Sequence, residues 1–340
     1  MSKSLGNSPD PLDLIDKFGA DGVRMGLMLA APAGNDIMYD DKLCETGRNF
    51  CNKIWNAFRL VAGWESSDAV IRPEVSETAE RWMRAQISAT AAEVNDCFEK
   101  FRLNDALMAV YRLFRDDFSG TYLEMVKPGY QQPIDPKTLA ATNRFFDELL
   151  RLLHPFMPFI TEELWQHLAD RRPGESIMYA PLPEAGEVDR RLLTDMELAR
   201  EVVGAVRAVR AKKNISPKDE LSLLVLGTMP DVAKSVVRKL ANVGEIKENA
   251  EKDPAAVSFL VGTTEFGVPM ASNLDVEAEL ARLRKELDYY TGFRASVMKK
   301  LGNERFVNNA PAAVVEVERR KLADAEQKLA AIEAGIAALQ

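Results

Sequence analysis

Three asparagines, a lysine and an arginine fall on one face of a single predicted helix, and together they have the chemistry to read nucleobases. The helix runs from Asp40 to Gly63. Its apolar positions Leu43, Gly47, Phe50, Ile54, Phe58 and Val61 step by three or four residues and so share one side. The opposite side carries Asn49, Asn52, Lys53, Asn56 and Arg59. An asparagine amide both donates and accepts, so it can read the edge of an unstacked base, while lysine and arginine supply phosphate or base contacts. The plainer reading is a solvated helix face. A second basic surface lies between Arg294 and Lys321, where seven basic residues (Arg294, Lys299, Lys300, Arg305, Arg319, Arg320, Lys321) meet three acidic ones (Glu304, Glu316, Glu318). That local excess sits in a chain of formal charge −8. Phosphate binding needs a basic patch, not a basic chain, so the overall sign excludes little. Here the plainer reading is charge that keeps a coiled coil in solution.

Other chemistry is poorly supplied. Cys44, Cys51 and Cys97 form no CxxC pair, and His154 and His167 are the only histidines, so no zinc site is expected. His154, between Leu153 and Pro155, reads as a hydrogen-bonded core histidine. Trp55, Trp64, Trp82 and Trp165 read as packing residues. The opening string Met1-Ser2-Lys3-Ser4-Leu5-Gly6-Asn7 is, on composition alone, a polar tail. No apolar run approaches the length of a membrane span.

The elements that must position these residues are mainly helical. Asp10–Pro11 opens a short helix to Phe18, Gly19 stops it, and Asp21 starts another through Leu29. After the Asp40 helix come three long helices, about Pro73–Lys100, Asn104–Val126 and Pro136–Leu153, and a shorter one from Pro158 to Leu168, making a helix bundle. Past the proline-rich boundary near Pro181, a helix through Leu198 and Val209 precedes apolar runs Leu221–Leu226, Val257–Val261 and Phe266–Pro269. With a helix near Val232–Leu240, these suggest a small α/β unit of unread topology. The last part alternates steps of four and three, from Val276 to Leu301 and again from Leu322 to Leu339. This spacing predicts an antiparallel coiled-coil hairpin whose first arm is ~40 Å long. Arg294 occupies a seam position near Leu322 and within reach of Glu318. It is either a polar layer that fixes register or a residue turned out to RNA. The expected parts are 1–39, a polar loop with short helices; 40–186, a helical bundle; 187–271, a small α/β domain; and 272–340, the hairpin arm.

A family resemblance adds to this. Met1-Ser2-Lys3-Ser4-Leu5-Gly6-Asn7 with Asp10-Pro11 resembles the KMSKS signature loop of class I aminoacyl-tRNA synthetases, lacking only the lysine that members carry before Met1. Gly19 to Arg24 resembles the valyl-tRNA synthetase family's helix entry after that loop, and Gly47 to Asn56 the start of its helical anticodon-binding domain. Tyr122-Leu123-Glu124 with Lys127-Pro128, and Leu153 to Trp165, resemble segments shared by the isoleucine, leucine and valine enzymes. Leu301-Gly302-Asn303-Glu304-Arg305-Phe306-Val307-Asn308-Asn309-Ala310-Pro311, with Val314-Val315 and Glu318 to Leu322, is similar to the hairpin connection of valyl-tRNA synthetases. An isoleucyl or leucyl relative would share the bundle motifs but not this connection. A coiled-coil protein-interaction module would leave its seam exposed or pair with itself.

The resemblance implies an anticodon-binding bundle and a tRNA-binding arm, with tRNA(Val) as partner. It implies that Lys3, assisted by Met1, Ser2 and Ser4, serves ATP (with Mg) in an intact enzyme that joins valine to tRNA. Lys42, Lys53 and Asn56, with Asn49 beside them, would lie on the anticodon side. Arg294, Lys299, Lys300 and Arg305 would meet the outer corner of the tRNA. Relatives often carry a stacking aromatic where this chain has Leu60. The family's nucleotide fold, amino-acid pocket and editing domain precede the signature loop, so this chain alone is expected to be inactive and to hold no cofactor. A monomeric, cytoplasmic protein with a mobile Met1–Asn7 is expected, with no metal and no membrane.

Overall fold

Asp10 sets the start of the first helix. Its carboxylate accepts the Leu12 N–H at 2.8 Å and Pro11 supplies a pre-set φ, giving α1, Pro11–Phe18. Gly19, at φ 77°, turns the chain straight into α2, Ala20–Leu29. This computed structural model describes residues 9–31, 40–270, 276–302 and 312–339; the expected mobile segment Met1–Asn7 lies outside them. The capping device recurs at Asp40, which accepts the Lys42 N–H at 2.9 Å and opens α3, Asp41–Ala62. α4, Glu74–Glu99, follows. Asp135 and Pro136 open α7, Pro136–Leu153, and Pro158 opens α8, Pro158–Leu168.

One predicted helix is really three pieces. Between Asn104 and Val126 the periodicity predicts an unbroken α-helix. The structure has α5, Leu103–Arg112, a π-helical stretch Leu113–Tyr122, and α6, Leu123–Val126. In a π-helix each N–H reaches five residues back. Thr121 supports the wider turn by donating its hydroxyl to the Asp116 carbonyl at 3.0 Å. The stretch carries Phe114, Phe118 and Tyr122 as a ladder with ring centroids 5.5 and 5.6 Å apart. Edge-on contacts to Phe145 and Phe146 of α7 complete an aromatic core, all fully buried together with Trp82 of α4.

α2 and α3 cross at unusually short range. A Cβ on Gly47 would lie 2.5 Å from the Gly22 carbonyl oxygen, and one on Gly26 would lie 2.6 Å from the Cys44 nitrogen. α2 is pinned on its other sides. Arg24 donates to the Pro155 and Phe156 carbonyls, both at 3.1 Å, and Asn104 donates to Met28 and Leu29 at 2.9 and 3.0 Å. The buried Asp21 carboxylate accepts the Phe159 and Ile160 N–H groups at the start of α8. Burial pushes that carboxyl up from its ordinary range while the two backbone donors pull it back.

After α9, Arg190–Lys212, a four-stranded mixed sheet forms from β1 Leu221–Val225, β2 Val243–Lys247, β3 Ala256–Val261 and β4 Thr264–Pro269. Its order is β2-β1-β4-β3. β1 and β2 run parallel through α10, Asp231–Ala241, while β4 lies antiparallel to β1. β2 has no counterpart in the sequence reading: it is an edge strand with only Val243 buried, so its residues show no alternation. α10 packs on α9 and α4, and bundle and sheet form one compact unit ending at Val268.

The second unit, Pro269–Gln340, contains α11, Val276–Leu301, and α12, Ala312–Leu339. Lys300 meets Glu318, and ten residues back along α11 Tyr290 meets Lys328, ten residues on along α12. The two helices are therefore antiparallel and in constant register. Val297, Val315, Ala325, Leu329 and Ile332 are buried between them.

Candidate nucleic-acid interface

α3 is the element best built to hold side chains still. Behind its exposed face Cys44, Phe50, Ile54, Ala57 and Val61 are all buried, and Phe50 meets Tyr111 and Phe114 edge-on. On the outer face Lys42, Asn49, Asn52, Asn56 and Arg59 are exposed, and Lys53 is half-buried at the margin. The structure therefore brings Lys42, Asn49, Lys53 and Asn56 onto one side of one helix. From Thr46 to Gly63 that helix carries Arg48, Lys53 and Arg59 and no acidic residue. Arg48 is partly committed to the fold, donating to the Lys17 carbonyl at 3.4 Å. Lys17 in turn pairs with Asp41 at 3.3 Å.

One residue of this helix departs from expectation. Of the four tryptophans read as packing residues, Trp82 and Trp165 are buried and Trp64 is half-buried, but Trp55 is 41% exposed. Its ring leans on Phe58 at 6.5 Å and 41°. Leu60, on the other flank of the exposed face, is 43% exposed. Cys51 sits half-buried on the helix beside Asp21, and burial pushes its thiol up to about 12, so it stays protonated and unreactive.

The histidines are structural in their contacts. His154 Nδ1 lies 2.7 Å from the Thr161 hydroxyl, and burial holds its pKa below the usual imidazole value, so the neutral ring is favoured. Among the described residues no group of His, Cys, Asp and Glu could hold a metal ion, and no helix is long and apolar enough to cross a membrane.

On the arm, Lys299 and Lys300 are exposed near the end of α11 and Arg294 is half-buried. Arg305, like Met1, Ser2, Lys3 and Ser4, lies outside the described residues. Glu318 is the buried polar residue of the seam, and its partners are Lys321 at 2.8 Å and Lys300 at 3.9 Å, not Arg294. The Lys321 hydrogen bond, with attraction from Lys300, holds this carboxyl below its ordinary range. The register that pairs Lys300 with Glu318 and Tyr290 with Lys328 brings Arg294 level with Asp324, more than a turn from Glu318. The nearer lysines take the carboxylate instead, Lys321 from one turn on along the same helix and Lys300 from the facing one. A further polar contact, Lys328 to the Tyr290 hydroxyl at 3.1 Å, crosses the same seam and places the ammonium over the Tyr290 ring.

Comparison with known proteins gives three family matches in chain order. Residues 1–40 match tRNA synthetases class I (I, L, M and V), residues 80–225 the anticodon-binding domain of tRNA ligase, and residues 275–340 the valyl tRNA synthetase tRNA binding arm. Among curated proteins the chain is 60% identical over 339 residues to the valine–tRNA ligase of Parabacteroides distasonis and 55% identical to that of Phocaeicola vulgatus. It is 36% identical to that of Enterococcus faecalis. Each comparison covers 100% of this chain but only 39%, 39% and 40% of the respective relative, so the chain spans about two fifths of the proteins it matches.

Proposed function

Because this chain belongs to the valyl-tRNA synthetase family, we propose that its bundle binds the anticodon region of tRNA(Val) through the exposed face of α3, and that its arm binds the outer corner. The observation that carries this reading is the strip Lys42–Asn49–Lys53–Asn56. Three to seven residues separate its members, all on one side of a helix whose other side is buried. A rigid helix fixes where each amide donor and acceptor points, which base reading needs. The basic residues Lys299 and Lys300, with Arg294 and Arg305, are proposed to supply phosphate contacts from the arm, a coiled coil in this reading. The four-part division at residues 39, 186 and 271 is proposed on the same grounds.

Ligation of valine to tRNA(Val) with ATP and Mg is assigned to the longer protein that the relatives represent. In it Lys3 is proposed to place its ammonium on the ATP phosphates, with Met1, Ser2 and Ser4 assisting; the 340 residues by themselves are proposed to bind tRNA without joining valine to it. The proposed setting is the cytoplasm and the proposed state a monomer.

The test is equilibrium binding to tRNA(Val) transcript against tRNA(Ile), at two salt concentrations, with the double variant Lys299→Glu and Lys300→Glu in parallel. Expected are preference for tRNA(Val), loss of affinity with salt, and a smaller salt slope in the variant. Absence of binding at low salt, or equal binding of both tRNAs with an unchanged slope, would refute it.

A further inference from the structure

Trp55 presents its indole to solvent at 41% exposure on a helix whose opposite side is buried. Exposure alone would mean little, since single exposed apolar residues are common. Three further features give it meaning. The ring has support on one side, from Phe58, one turn on and half-buried, with centroids 6.5 Å apart. Asn52 lies three residues before it and Arg59 four after, both exposed, so all three share one strip of the helix. And the helix from Thr46 to Gly63 is basic without a single carboxylate, in a chain of formal charge −8. A supported aromatic face between an amide and a guanidinium, in a positive local field, suits an unstacked nucleobase and its phosphate.

We propose that Trp55 is a stacking platform for one base of the tRNA anticodon loop, with Asn52 contacting the edge of that base and Arg59 the adjoining phosphate. The proposal rests on the reading of α3 as an RNA-binding face and names a flank of it outside the Lys42–Asn49–Lys53–Asn56 strip. The indole stacks on either face of a base regardless of identity, and the amide adds the sequence preference. Leu60, the other large apolar side chain exposed on this helix, has no π face to offer.

The experiment uses the intact 340-residue chain and two RNA probes, a hairpin carrying the tRNA(Val) anticodon loop and the full tRNA(Val) transcript. Proteins are the wild type, Trp55→Phe and Trp55→Ala, with far-UV circular dichroism to verify the fold. Hairpin binding is read by quenching of tryptophan emission and, independently, by anisotropy of labelled RNA. Stacking on Trp55 predicts quenching in the wild type and its loss in Trp55→Phe, which keeps a ring and binds within about 3-fold. Trp55→Ala should weaken the hairpin roughly 5- to 150-fold, the alanine-substitution range for one stacked base, with an unchanged salt slope because no ion pair is removed. Wild-type affinity in Trp55→Ala, persistent quenching in Trp55→Phe, or a reduced salt slope would overturn the proposal, while binding of the anticodon hairpin by the wild type leaves the RNA-face reading standing. Failure of the wild type to bind the hairpin would overturn both, even where full tRNA is still held through the arm.

Discussion

Gly47→Ala and Gly204→Ala make the same chemical change in the middle of two α-helices, and the structure assigns them opposite signs. In an exposed helix interior, alanine is favoured over glycine by ~0.8–1.0 kcal/mol because the unfolded glycine chain has more freedom to lose. Gly204 lies exposed in α9, and a Cβ there would meet nothing within 4 Å, so the full gain of about 1 kcal/mol is expected. At Gly47 the new methyl would sit 2.5 Å from the Gly22 carbonyl oxygen, 2.9 Å from Gly22 Cα and 3.1 Å from its carbonyl carbon. These are backbone atoms, so no rotamer change relieves the contact. α2 would have to move away by the better part of an ångström. It is held against such a shift by Arg24 on the Pro155 and Phe156 carbonyls, by Asn104 on its C-terminal carbonyls, and by Asp21 on the α8 N–H groups. Overpacking of this kind costs about 1–3 kcal/mol or more in well-packed cores, and here it acts against rather than with the propensity gain. A net loss of about 1–2 kcal/mol is expected for Gly47→Ala. Urea unfolding of both variants, followed by circular dichroism, measures this as midpoints moving in opposite directions at constant slope. Equal signs, or a Gly47→Ala midpoint at or above wild type, would refute the claim that the α2–α3 crossing is set by backbone contact.

Asp117 gives a pH prediction: burial raises its carboxyl to about 6 despite Arg200 at 2.9 Å, whereas the unfolded group titrates near 3.8. Between those values the folded state holds the proton that the unfolded state has released, so stability falls as pH rises through the window and levels off above 6. At about 1.4 kcal/mol for each pH unit spanned, the fall amounts to roughly 3 kcal/mol. Asp117→Asn should lack that fall, so the wild-type minus variant difference should itself fall with pH across the window, and a difference that rises with pH would refute the sign. Arg210 is buried and donates to the carbonyls of Ser216, Ala241 and Asn242 at 2.8, 2.9 and 3.0 Å. Arg210→Lys cannot span all three, and a loss of about 2–4 kcal/mol in urea unfolding is expected, against no change if the guanidinium were merely solvated. For Glu318 the sign is opposite to that of Asp117. Its carboxyl is depressed chiefly by Lys321, so the stabilisation is present above the unfolded value and lost as pH falls through the lowered one. Helicity of the arm should weaken on acidification in the wild type and much less so in Glu318→Gln.

How much was legible in the sequence follows from what each element depends on. α1, α2, α3, α4 and α7 were readable because a capping residue, a proline or a clear 3.6-residue stripe marks each one locally. The arm was readable for the same reason, through its alternation of three and four. The π-helical stretch was not, because Phe114, Phe118 and Tyr122 fit an α-helical stripe nearly as well, and the choice rests on packing against Phe145 and Phe146. β2 was missed because a sheet edge has no buried face to impose alternation. The candidate site was legible as a helix face, since a period is enough to place Asn49, Lys53 and Asn56 together. Trp55 was misjudged because its type favours burial; only the crossing geometry of α3 decides that it sits at the margin. A signal was available, for Trp55 falls on the flank of the apolar stripe and not at its centre.

The two proposed RNA surfaces differ in construction, and the difference follows from what each must do. A phosphate contact is a charge placed within several ångströms of another charge, tolerant of side-chain motion and of small shifts in the backbone. Two antiparallel helices suffice for that. The arm buries the Glu318 carboxylate in its seam beside Lys321 and Lys300 and carries the Tyr290–Lys328 contact at its exposed edge. Reading a base edge needs donors and acceptors fixed to a fraction of an ångström, because the discriminating hydrogen bond weakens steeply with angle. α3 meets that demand through an aromatic core behind it and glycine contacts with α2 beside it, which leave the helix almost no room to slide. By this reasoning Gly47→Ala should relax discrimination between tRNA(Val) and tRNA(Ile) more than it lowers overall affinity, because phosphate contacts survive a displacement that misaligns amides. Equal losses on both tRNAs would mean that the face contributes charge alone.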